Sequence, residues 1–195
     1  MKSIELKSGT EEQRKFLIKH IHAMNELFPE NRENTITAWT TSLNNSPYSS
    51  IVDVPYSLHA PSYKLINHVN EVIDIGLKLF DYSKSNWGVE VDLQDLLMIL
   101  ILHDVDKPLL FTTKDGLLSE SDLAKIIPHG VLGSYILESI GFPEKITYSV
   151  ATHSINSPIR GSSSEDLILH YSDFFSADHA ILSEGGKAFF QKVHS

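Results

Sequence analysis

The chain has 195 residues, 42% hydrophobic and 21% charged, which suits one well-buried domain with a short extension and argues against wholesale disorder. Acidic residues (25) outnumber basic ones (16), and the net charge of −9 argues against binding nucleic acid by bulk electrostatics. There is no cysteine, so disulfides, thiolate nucleophiles and Cys-held metals are excluded; any metal must sit on the ten histidines or on oxygen ligands.

Helical signals dominate. Thr10-Glu11-Glu12-Gln13 reads as a capping box, and the helix it opens is expected to reach about Phe28, with Pro29 stopping it. The opening stretch MKSIELKSGTEEQRKF has no apolar run of signal-peptide type. The longest apolar run, Leu96–Leu102, is too short to span a bilayer, so a cytoplasmic protein with no membrane partner is expected. From Pro29 to Pro61 the chain is polar and punctuated by Pro47 and Pro55. A short helix over 34–43 and an extended stretch over 50–56 are expected there. Residues 1–56 are read as an irregular, partly helical N-terminal extension packed on a main domain at 57–195.

Pro61 suits the first turn of a long helix reaching about Ser83, and Leu65, Val69, Val72, Gly76 and Leu79/Phe80 keep helical spacing. His68 shares their face. Asp92 can cap the next helix, whose LLMILIL centre is apolar on every side and so must be surrounded by protein. It ends in His103-Asp104. Ser119 to Asp122 reads as another cap, opening a short helix to Ile127. Pro128 starts a helix through Ile140, stopped by Gly141, and Pro143 starts one to about His153. After the loop SINSPIRGSSS, Ser163 or Ser164 caps a helix to about Leu182, and Gly185-Gly186 set off a short tail. The expected fold class is all-α, a helical bundle with few strands.

A His-Asp dipeptide says little by itself. His103-Asp104 closes an entirely apolar helix, however, where an ionised Asp104 is costly without a cation or strong hydrogen bonds. His68 faces inward from the preceding helix. His129 opens a helix, His153 closes one, and Asp173 lies mid-helix between Leu169 and Phe174. Four helices can thus aim imidazoles and carboxylates at one point.

In order, His68, His103-Asp104, His129, His153 and Asp173 follow an H…HD…H…H…D pattern, within the words LHDVDKP, HGVLGSYIL and ILHYSDFFSAD. Over roughly residues 57–182 the chain resembles the HD-domain superfamily of metal-dependent phosphohydrolases; the segment before it does not. The resemblance implies that His68, His103, Asp104 and Asp173 hold one metal, with Asp104 bridging to a second completed by His129 and His153. It implies one or two divalent Fe, Mn, Zn, Ni or Co ions, all compatible with neutral imidazole. A bridging carboxylate fits two metals about 3.5–4 Å apart, and such a pair makes hydroxide from water at neutral pH. Asp104 and Lys107 are the implied catalytic residues, Lys107 adding positive charge to a bound phosphate.

Arg160 and His59 are further candidates for contact with an anionic substrate. His170, three residues before Asp173, is a candidate partner of the ligands, and Asp106 either orients Lys107 or faces water. The substrate implied is a small phosphorylated molecule such as a nucleotide, and a homodimer is compatible with the resemblance. Size and the spacing after His129 resemble bacterial enzymes that cleave diadenosine tetraphosphate symmetrically, from which the N-terminal segment and SINSPIRGSSS depart. The Gly-Tyr-Pro signature of cyclic-di-GMP phosphodiesterases is absent after His153. Two other readings stay open: a mixed-valence di-iron oxygenase of the same superfamily, and a non-catalytic module that binds metal or ligand. The full ligand set weighs against the last, since unused ligands in a core carry a desolvation cost.

Overall fold

The computed structural model describes residues 4–192. The first and last three residues lie outside the described residues, and with them the outer ends of the two expected domains and the start of the stretch read for a signal peptide. The described chain forms α1 (Glu11–His20), α2 (Pro29–Asn44), a hairpin of β1 (Pro55–Ser57) and β2 (Ala60–Lys64), α3 (Leu65–Trp87) and α4 (Leu93–Leu102). A single turn α5 (Lys107–Leu110) and a second hairpin, β3 (Phe111–Lys114) and β4 (Leu117–Glu120), follow. α6 (Val131–Ile140), α7 (Glu144–Thr152) and α8 (Ser164–Ser183) complete a helical bundle. At its centre is α4, buried from Leu96 to Leu102 and packed against α2, α3, α7 and α8.

Both arms of the Thr10 capping box are made: Gln13 N–H donates to Thr10 Oγ1 (3.2 Å) and Thr10 N–H to Gln13 Oε1 (3.0 Å). The helix ends at His20, well short of Phe28. Asn70 on α3 takes the His22 N–H (2.9 Å) and donates to the His20 carbonyl (2.8 Å), so the freed backbone groups are met from a neighbouring helix. A tight turn then carries Ile21, Met24 and Leu27 into the core. Pro29 starts α2 instead of stopping α1, because its fixed φ fits a first helical turn and its missing N–H costs nothing there. α2 is also longer than the expected 34–43. Of its buried polar residues, Thr40 and Thr41 set their hydroxyls on the backbone; Thr40 Oγ1 donates to the Ile36 carbonyl (3.0 Å) and Thr41 Oγ1 takes the Lys7 N–H (3.0 Å). Ile36 and Trp39 share one hydrophobic cluster with Leu97 and Ile99.

Pro61 lies in β2, not at the start of α3. The strand is held extended from outside: Glu184 Oε1, just past α8, takes the N–H groups of Ser62 and Tyr63, each at 2.7 Å. Ser119 and Glu120 lie in a strand, β4, and the helix expected to reach Ile127 is a run of turns instead. Asp115 (φ 52°) and Gly116 (φ 77°) both adopt left-handed backbone, forming the two-residue Asp-Gly hairpin turn. Ser121 caps the turn that follows, its Oγ taking the Ala124 N–H (3.2 Å). α6 begins at Val131, so His129 precedes the helix it was expected to open. Ser163 caps α8 reciprocally with Asp166. No helix of the described residues is long and apolar enough to cross a membrane.

Candidate metal centre

The six patterned side chains come from five places in the bundle. His68 is in the first turn of α3, His103 caps the C-terminus of α4 with Asp104 next, His129 precedes α6, His153 caps the C-terminus of α7, and Asp173 is midway along α8. The metal-binding atoms of His68, His103 and Asp104 lie within 4.8 Å of one another, and so do those of Asp104, His129 and His153. Asp104 belongs to both groups. Its Oδ2 is 3.2 Å from His68 Nε2 and 3.5 Å from His103 Nε2; its Oδ1 is 3.0 Å from His129 Nε2 and 3.7 Å from His153 Nε2. Asp173 Oδ1 stands 3.2 Å from His68 Nε2.

Two rings are oriented by local backbone and two by side chains. His103 and His153 close their helices by donating Nδ1–H to carbonyls of the last turn, Leu100 (2.9 Å) and Val150 (2.7 Å). His129 donates Nδ1–H to Asp106 Oδ1 (2.9 Å), whose Oδ2 takes the Gly130 N–H (2.8 Å). Gly130 has φ +83°, and a Cβ there would stand 2.7 Å from the Val150 carbonyl oxygen. Glycine is therefore required for the chain to bring the His129 and His153 rings within 4.8 Å of each other. His68 Nδ1 is 2.9 Å from Ser176 Oγ, whose own proton goes to Glu71 Oε2 (2.6 Å), so His68 donates.

With Nδ1 committed as donor in all four rings, each neutral imidazole turns an Nε2 lone pair on the Asp104 carboxylate. Asp104 Oδ2 is buried without a hydrogen-bond partner although two ring nitrogens and Lys107 surround it. Lone pairs facing a carboxylate are repulsive unless a cation or an added proton sits among them. Neutral nitrogens, hard oxygens and a shared central carboxylate form a donor set that fits a divalent metal.

The proton affinities carry the same message. Burial disfavours a charge on His68, but Asp104 and Asp173 outweigh it and raise its pKa. Burial also opposes charge on His129, yet Asp106 and Asp104 push it up to about 10. Burial alone would raise Asp104; Lys107, His103 and His129 hold it well below the usual carboxylate range instead. Asp173 is likewise lowered against its burial, first by His68. The centre is built to hold positive charge.

Lys107 is buried rather than a solvated helix cap. Its Nζ lies 3.5 Å from Asp104 Oδ2, donates to the Tyr56 carbonyl (3.1 Å) and sits 4.2 Å from the centre of the Tyr56 ring. That ring packs 4.1 Å from His68. Of the other candidates, Asp106 neither orients Lys107 nor faces water: it is fully buried and holds His129. Arg160 spends its guanidinium on carbonyls that follow α7, including His153 (3.3 Å). His170 packs on Phe174 (4.6 Å) and lines a cavity of about 490 Å³ with Arg160 and His153. His59 is exposed at the tip of the first hairpin, its N–H on Ser57 Oγ. Sequence reading missed Ser176, Glu71 and Tyr56. Glu71 lies three residues after His68 and Ser176 three after Asp173, a helical spacing that marks both; nothing local marks Tyr56.

A cavity of about 510 Å³ opens beside the cluster, with Lys107 and His129 in its wall. Phe111, Pro128 and Val131 make it largely apolar, and Glu120 and Asn156 add polar groups.

The HD domain family matches residues 65–178. Among curated proteins, the dihydroneopterin 2',3'-cyclic phosphate phosphodiesterase of Methanocaldococcus jannaschii is 33% identical over 129 residues, covering 64% of this chain and 51% of that protein. The chain thus spans about half the length of that relative. No solved structure matches the chain.

Proposed function

The chain belongs to the HD domain family, and on that premise we propose that it is a metal-dependent phosphohydrolase acting on a small phosphate ester or anhydride. The observation that carries this reading is the orphaned Asp104 Oδ2 among converging Nε2 lone pairs. In this reading His68, His103, Asp104 and Asp173 hold one cation, and Asp104, His129 and His153 hold a second, drawn from Fe, Mn, Zn, Ni or Co. Bound there, divalent ions would lower the pKa of water to near neutrality and polarise a phosphoryl oxygen.

The chain's own part is positional. Asp104 fixes the charge at the middle of the site. Lys107, aimed by the Tyr56 carbonyl and ring, takes a phosphate oxygen at the edge of the 510 Å³ cavity. The cavity's size and mixed lining suit a planar heterocycle attached to that phosphate. Nucleotides and pterin cyclic phosphates, the latter suggested by the relative's activity, are the substrate classes to test first. The division at residue 56 belongs to the same proposal: an N-terminal extension packed on a 57–195 core and delivering Tyr56 to Lys107.

The test is a screen of metal-loaded protein against nucleotides, 2',3'-cyclic phosphates and phosphoanhydrides. Metal-dependent cleavage that vanishes in Asp104→Ala is the expected result. Oxygen consumption by the iron-loaded chain without cleavage of any phosphate bond would support the oxygenase reading instead.

A further inference from the structure

Outside the cluster, a second set of polar groups converges on Glu71, in the second turn of α3. Its Oε2 accepts from Ser176 Oγ (2.6 Å), its Oε1 accepts from the Tyr63 hydroxyl, and His179 Nδ1 lies 3.3 Å from Oε1. Ser176 is fully buried and His68 is its other neighbour, at 2.9 Å from Nδ1. A carboxylate only accepts, so the Ser176 proton is held toward Glu71. The serine oxygen is then left only as an acceptor, and His68 must carry its proton on Nδ1. We infer that Ser176 and Glu71 are positioning residues that lock His68 in the tautomer whose Nε2 lone pair faces Asp104, and thereby set the affinity of the His68 half of the centre for metal. This rests on the metal reading above.

The other histidines of the cluster have partners that can only accept: His129 donates directly to the Asp106 carboxylate. His103 and His153 donate to backbone carbonyls, which cannot reverse their role. A serine hydroxyl can. Without Glu71, Ser176 O–H is free to rotate and donate to Nδ1, which moves the His68 proton to Nε2 and points it at the metal position. Glu71 removes that alternative. Tyr63, on β2, donates to the same carboxylate and so ties the first hairpin to the state of His68.

The experiment measures Mn²⁺ binding by calorimetry to the metal-stripped full chain, with thermal melting of each metal-free variant beside it. Ser176→Ala is expected to raise the Kd for Mn²⁺ by about 10–100-fold, Ser176→Thr to restore it, and Glu71→Ala, on the partly exposed side, to weaken binding in the same direction. A Ser176→Ala change below about threefold, or a loss that Ser176→Thr shares in full, overturns the inference, because the hydroxyl would then not be what matters. Long-range ¹H–¹⁵N spectra of the metal-free chain, recorded at a pH high enough to keep the ring neutral, report the His68 tautomer directly: Nδ1–H in the wild type, lost or mixed in Ser176→Ala and Glu71→Ala. An Nδ1–H that persists in both variants overturns the inference. A wild-type chain that takes up no Mn²⁺ overturns the metal reading instead, and the spectra still decide the tautomer.

Discussion

His68 and His103 bring their Nε2 atoms within 3.1 Å of each other, although the Nδ1 of each is already committed as a donor. Two lone pairs face each other in a site where both rings are fully buried. Such an arrangement needs positive charge between the nitrogens and the Asp104 carboxylate: an added proton supplies it in the metal-free chain, and a bound cation would supply it in the loaded one.

Asp106→Asn tests how His129 is held. Asp106 accepts on both oxygens, from His129 Nδ1–H and from Gly130 N–H. An amide can accept only one of these and sets an N–H against the other. The expected cost is about 1–3 kcal/mol of stability, with affinity for the second cation down about 10–100-fold. Unchanged metal stoichiometry and affinity in the variant would contradict this role.

Gly130→Ala should do comparable damage by a different route. The backbone is left-handed there, and the added methyl meets the Val150 carbonyl at 2.7 Å. Strain of about 1–3 kcal/mol is expected, together with displacement of His129 from His153. Chemical denaturation reads the first effect and metal titration the second.

Lys107→Met separates substrate binding from metal binding. Lys107 touches Asp104 but offers no lone pair while charged, so metal content should stay at the wild-type level. Loss of one charge-assisted hydrogen bond to phosphate, about 1.5–3 kcal/mol, should raise KM about 10–100-fold. A KM that stays at the wild-type value removes Lys107 from the phosphate site.

Lys145 supplies a pH test away from the centre. It bridges Asp95 at the start of α4 (2.8 Å) and Glu165 at the start of α8 (2.7 Å). Burial works against its charge, but the two carboxylates outweigh this and push it up to about 12. Because the folded-state pKa is raised, the stabilisation is complete below the ordinary lysine range and lost as pH rises through about 12. Lys145→Met should cost about 0.5–1 kcal/mol near neutrality, modest because the Lys145 side chain is 43% exposed. Urea denaturation should show the gap between wild type and variant narrowing toward that pH.

Much of the centre was legible because its residues sit where local rules speak. His103 and His153 end helices, His68 shares an apolar face, and Asp104 follows a helix that has no polar side. The misreadings came from residues with two equally good local uses. Pro29 fits a stop or a first turn, and Pro61 fits a helix start or a strand. Asn70 and Glu184, distant in the chain, settle which is realised through the backbone groups they satisfy. The Asp115-Gly116 turn was a readable signal, overridden by the apparent cap at Ser119. Ser176, Glu71 and Tyr56 act only through groups brought near by folding, which sequence pattern does not display.

Metal content of chain purified without chelators is the most direct measurement. The account predicts about one to two equivalents of transition metal per chain in the wild type, and loss of that metal in Asp104→Ala. Wild-type protein carrying less than about half an equivalent under those conditions, or Asp104→Ala retaining its full complement, would contradict it.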